Sequence, residues 1–102
     1  KEVLFTARRY TAAEALALGL VNRVFPKAEL EAAVRETALA IAGNAPLTLR
    51  SAKLVIRELG RDGALRDRAA MTDSIRRCFD SADYKEGVRA FLEKRPPRFR
   101  GA

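Results

Sequence analysis

Along most of this chain apolar residues recur at intervals of three and four, the period that gathers them on one face of an α-helix. From Lys27 onward Leu30, Val34, Ala38 and Ile41 keep that interval until Gly43-Asn44 breaks it, which predicts a helix ending there. Pro46 suits the first turn of the next helix because it has no N–H to leave unpaired. Leu47, Leu54, Val55 and Leu59 form that helix's stripe, and Gly60 and Gly63 punctuate its end. A third helix is predicted with Leu65, Ala69, Thr72, Ile75 and Phe79 on its inner face and Arg66, Arg68, Arg76 and Arg77 largely on the others. Ser81 resembles an N-cap for the last helix. There Tyr84, Val88, Phe91 and Leu92 have the spacing of a buried face before Pro96-Pro97, neither of which can donate to the ladder, ends it.

Before Lys27 the pattern is shorter and more broken. Thr11-Ala12-Ala13-Glu14 has the spacing of a capping box, in which the Thr hydroxyl and the Glu carboxylate each satisfy an unpaired helix-terminal N–H. Ala15, Leu16 and Leu18 carry that short helix to Gly19, the residue type that enters a left-handed turn without steric cost. Leu20 to Phe25 is rich in β-branched and aromatic residues and is closed by Pro26, which suits a short strand or an extended connector. The expected fold is therefore mainly α with at most one short strand. Its internal boundary falls at Phe25-Pro26, between residues 1–26, with the capped helix and the strand, and residues 27–102, with four consecutive helices. Lys1-Glu2-Val3-Leu4-Phe5 opens without Met or a turn signal and reads as an element entered partway.

Composition sharpens this picture. A chain of 102 residues buries only about 60 to 65% of its unfolded surface on folding. With 48% hydrophobic residues and a lone Cys78 to offer no disulfide, some apolar surface is expected to be covered by another subunit or another segment, and an oligomer is the expectation. The absence of any His removes the usual zinc sets, a His general base and triad chemistry, and leaves Cys78 as a small apolar residue rather than a nucleophile. No apolar run approaches a membrane span and no basic-then-apolar leader is visible, so a soluble, cytoplasmic protein is expected, without a membrane partner. The net charge of +7 favours anionic partners and admits a basic helical nucleic-acid-binding module as an alternative. Against that alternative, the basic residues are spread over every helix instead of forming one stripe, and the aromatics fall on apolar faces.

Thr11-Ala-Ala-Glu-Ala-Leu-Ala-Leu-Gly-Leu-Val-Asn-Arg-Val24 resembles the stretch that follows the catalytic core in crotonase-like enzymes, the enoyl-CoA hydratase/isomerase family. Asn44-Ala-Pro-Leu-Thr48 with Lys53, then Phe79 to Gly87, then Gly87 to Phe99, resemble that family's later segments in the same order. The resemblance implies the C-terminal helical part of a fold whose N-terminal spiral of ββα units carries the active site. It further implies that 1–26 ends that core, and that 27–102 is an oligomerisation domain building trimers or paired-trimer hexamers. Two Glu side chains and two backbone N–H groups would do the enolate chemistry upstream of Lys1, with an acyl-CoA thioester as substrate and no separate cofactor or metal. No catalytic residue is assigned within this chain: Asp62, Asp67, Asp73, Asp80, Asp83 and Glu86 lie at predicted helix ends or beside Arg, where solvated charge is the ordinary role. The family's Phe-x-Glu-Lys-Arg pattern falls on Phe91 and Lys94, implying an aromatic beside adenine and an ammonium near a ribose phosphate of coenzyme A. For Phe91 a core position on the face of Tyr84 and Val88 is the favoured reading, because that face needs filling. Met71 and Ile75 read as plain core, although the same region could line a neighbour's acyl pocket.

Overall fold

A computed structural model describes residues 2–102, so the opening at Lys1 lies outside the described residues. The order of elements is α1 (Glu2–Thr6), α2 (Ala12–Ala17), α3 (Lys27–Ala42), α4 (Pro46–Leu59), a 3-10 turn (Gly63–Leu65), α5 (Arg68–Asp80) and α6 (Ala82–Leu92). Contacts divide the chain into a first unit ending at Glu36 and a second over Thr37–Ala102.

In the first unit α2 begins where the capping box places it. The Thr11 hydroxyl accepts from the Glu14 N–H at 3.2 Å and the Glu14 carboxylate accepts from the Thr11 N–H at 2.8 Å. That N–H, followed by the Arg8 guanidinium and the Thr11 hydroxyl, lowers the Glu14 carboxyl to a pKa of about 2. Helix α2 closes in a Schellman turn: the Leu20 N–H reaches the Ala15 carbonyl at 2.9 Å and the Gly19 N–H reaches the Leu16 carbonyl at 3.0 Å, with Gly19 at φ 71°. Of the two readings of 20–25, a short strand or a connector, the strand placed within 1–26 is not formed among the described residues. A strand exists only by sharing a ladder with a neighbour, and among the described residues nothing pairs with 20–25, which is an irregular connector bent at Leu20 and Asn22.

In the second unit α4 packs along α5, and α5 meets α6. The Ser51 and Ser74 hydroxyls join α4 to α5 at 2.9 Å, and within α5 the Cys78 thiol donates to the Ser74 carbonyl at 3.2 Å. Asp67 caps α5 by accepting from the Ala70 N–H at 2.8 Å, and Ser81 caps α6 by accepting from the Tyr84 N–H at 3.0 Å. Each cap is worth about 1 kcal/mol.

Burial here inverts the usual order. Among the described residues the fully buried apolar side chain is Ala90, while Glu58, Asp83, Ser51 and Ser81 are buried beside it. Glu58, 2% exposed, accepts from the Asp67 N–H at 3.0 Å and from Arg61 at 2.9 Å, which together lower its pKa against the cost of burial. Asp83, 3% exposed, holds the tail by accepting from the Arg100 and Gly101 N–H groups, each at 2.7 Å.

The expected inner faces of the last two helices are corrected by this arrangement. Leu65 sits in the 3-10 turn before α5 starts, and Ala69, Thr72, Ile75 and Phe79 are exposed; Ala70, Met71, Asp73, Ser74 and Cys78 are the half-covered residues instead. Tyr84, Val88, Phe91 and Leu92 are exposed as well. Val55 of α4, Ile75 and Phe79 of α5, and Tyr84, Val88, Phe91 and Leu92 of α6 line an open groove of about 690 Å³ between these helices. Phe79 and Tyr84 meet edge to face along it, their ring centroids 5.2 Å apart.

Candidate functional site

The two residues singled out by the Phe-x-Glu-Lys-Arg pattern lie on one turn, at the point where α6 stops. Pro96 and Pro97 cannot prolong the helix, and the chain closes it with a second Schellman turn. The Arg95 N–H reaches the Ala90 carbonyl at 3.0 Å, and the Lys94 N–H reaches the Phe91 carbonyl at 3.2 Å. Lys94 thereby takes φ 52°, a left-handed conformation that costs a residue with a Cβ about 1–2 kcal/mol. Phe91 and Lys94 are thus tied to each other through the backbone.

Phe91 is 83% exposed and lines the edge of the groove, which removes it from any core role within the described residues. The Lys94 side chain is exposed and makes no ion pair among the described residues, whereas both its neighbours are engaged. The Arg95 guanidinium grips Glu86 through two bonds of 2.6 and 3.0 Å and bonds Glu93 at 2.6 Å. Glu86 also accepts from the Arg98 N–H at 3.0 Å. Arg95, then the Arg98 N–H, holds the Glu86 carboxyl at a pKa of about 2, and the same carboxylates raise the Arg95 guanidinium further above its ordinary range.

The other acidic residues divide differently from the expectation of solvated charge. Asp73 faces Arg76 at 2.6 Å, and its pairing with Arg76 and Arg77 lowers its pKa. Asp62 and Asp67 serve as caps, and Asp80 lies 3.7 Å from Arg76. Asp83 and Glu86 instead fasten the tail, and Glu58, which the sequence pattern did not single out, fastens the α4–α5 connection. The signal for them is slight: Asp83 and Glu58 stand close to a helix end and Glu86 within α6, and each receives a backbone N–H from beyond its helix. Met71 is half-buried, Ile75 lines the groove, and the Cys78 thiol is occupied by a carbonyl. No group of His, Cys, Asp and Glu among the described residues is placed to hold a metal ion. No helix among them is long and apolar enough to cross a membrane. Several arginines, Arg61, Arg76, Arg77 and Arg95 among them, are paired with carboxylates.

The sequence profile of the enoyl-CoA hydratase/isomerase family matches residues 1–102. The chain belongs to that family. It is 42% identical to methylmalonyl-CoA decarboxylase of Escherichia coli, over 99% of this chain and 40% of that protein. It is 37% identical to short-chain-enoyl-CoA hydratase of Clostridium acetobutylicum, over 93% of this chain and 36% of that protein. The crystal structure of enoyl-CoA hydratase from Bacillus anthracis superposes with a TM-score of 0.86 at 35% identity, covering 100% of this chain and 40% of that one. The chain therefore spans about two fifths of the length of these enoyl-CoA hydratase/isomerase relatives, and its mainly helical fold is that of the matching part of the crotonase fold.

Proposed function

We propose that this chain is the C-terminal part of an enzyme acting on acyl-CoA thioesters, in which 1–26 ends the catalytic core and 27–102 is a helical oligomerisation domain. The observation that carries this reading is the open apolar groove beside Phe91: carboxylates are buried on one side of the last helices while their large apolar residues remain uncovered on the other. A surface of that kind is stable in water once a partner lies on it. In the assembled enzyme, a cytoplasmic homo-oligomer of trimer or hexamer type, the groove faces protein. The bond-making groups, two Glu and an oxyanion hole, belong to the remainder of the parent, so this segment alone is inactive and needs no cofactor besides the thioester. Which reaction the parent performs is not read from this segment, since relatives of similar identity are named for decarboxylation and for hydration.

At the edge of that interface Phe91 and Lys94 meet the coenzyme A nucleotide, the ring beside adenine and the ammonium near the ribose phosphate. The left-handed turn supports this reading, because strain is retained where the surrounding bonds over-determine it and something is gained by it. The test is Lys94→Ala in the full-length enzyme. Binding of a coenzyme A thioester should weaken about tenfold relative to the dephospho-coenzyme A thioester, the loss of one charge-assisted contact. An equal effect on both thioesters rejects the phosphate contact.

A further inference from the structure

The chain contains the same helix closure twice, with different residues in the left-handed position. At the end of α2 that residue is Gly19, which has open space where a Cβ would be and needs no support from side chains. At the end of α6 it is Lys94, and here the turn is bracketed: Glu93 before it and Arg95 after it are bonded to each other, and Arg95 is held two-handed by Glu86. The Arg98 N–H ties the returning tail to the same Glu86 oxygen that Arg95 holds at 2.6 Å. Of the three side chains of this turn, Lys94 alone is left unpaired.

We propose that Glu86, acting through Arg95, is a positioning residue for Lys94: it holds the strained turn closed so that the ammonium is presented in one place to the phosphate of the bound thioester. The inference rests on the reading of Lys94 as a coenzyme A contact. A carboxylate seated inside the last helix is fixed by the helix itself, and a two-bond guanidinium pair leaves little angular freedom to the residue that follows Lys94. The backbone on both sides of Lys94 is thereby pinned while its side chain stays available. Ligand recognition then depends on a carboxylate that never touches the ligand.

The experiment compares binding of acetyl-coenzyme A and acetyl-dephospho-coenzyme A by calorimetry in the full-length enzyme and its Lys94→Ala, Glu86→Gln and Arg95→Lys variants, with amide exchange followed at Lys94 and Arg95. Arg95→Lys keeps the charge and loses the fork, and so serves if Glu86→Gln fails to fold. Both positioning variants should reduce the preference for the phosphorylated ligand by about threefold or more, leave the dephospho ligand within about twofold, and speed exchange at the turn. Combining either with Lys94→Ala should add nothing beyond Lys94→Ala itself. If Lys94→Ala lowers the preference and the positioning variants do not, or if they weaken both ligands alike, the positioning role is overturned and the phosphate contact stands. If Lys94→Ala leaves the preference unchanged, the contact falls and the positioning role with it.

Discussion

Helix α6 has two long faces that differ in kind. On one, Asp83, Glu86 and Ala90 are covered, and the two carboxylates are saturated by N–H groups and by Arg95. On the other, Tyr84, Val88 and Phe91 are apolar and lie open along the groove. The comparison separates two jobs that a hydrophobic stripe usually does at once. The covered polar face fixes where the tail runs through its bonds to the backbone; the open apolar face supplies no such specificity within the described residues, and it is the face proposed above to meet a partner subunit.

Substitutions on the two faces should therefore differ in size and in what they disturb. Asp83→Ala is expected to have the largest effect. It leaves the Arg100 and Gly101 N–H groups without their charged acceptor, and amide exchange in the tail should report a loss of local stability of about 2–3 kcal/mol. Ser81→Ala, which removes the α6 cap, should cost about 1 kcal/mol by the same measurement. Lys94→Gly should move the other way, stabilising the end of α6 by about 0.5–1 kcal/mol as the left-handed strain is relieved, even as phosphate preference is lost. Val88→Ala on the open face should change monomer stability by less than about 0.5 kcal/mol, and an effect several times larger would show that the face is buried within the chain.

Acid offers a way to weaken the polar face alone. The Glu86 carboxyl is lowered from an ordinary 4.5 to about 2, so the unfolded chain takes up its proton first as the pH falls. The stabilisation by Glu86 is thus fully present above the ordinary value and fades as the pH drops from about 4.5 toward 2. Circular dichroism and tail exchange in the Glu86→Gln variant should be flatter over that window than in the parent chain. An identical acid profile would remove Glu86 from the tail's attachment.

The helices were legible because three- and four-residue intervals and caps are local: Thr11 and Glu14, or Ser81 and Tyr84, stand three apart and meet as soon as one turn forms. What covers a helix face is not local. The periodicity of Ile75, Phe79, Tyr84 and Val88 shows that a face is apolar without showing how far the chain itself covers it, and among the described residues each of the four stays exposed. The stretch 20–25 has strand chemistry and no partner for a ladder among the described residues. Buried carboxylates were hardest to read, because Asp83 is covered by N–H groups 17 and 18 residues away and Glu58 by one 9 residues away. Phe91 and Lys94 were found through a family pattern; the turn that joins them, with a lysine where glycine is usual, is visible only in the backbone.

Sedimentation equilibrium of the full-length enzyme carrying Ile75→Glu with Val88→Glu bears most directly on the open apolar face. With both charges set into the groove, the mass should fall to that of a single subunit while helix content is retained, since neither side chain supports the fold of its own chain. A mass unchanged by the two substitutions would contradict the proposal that this face joins subunits.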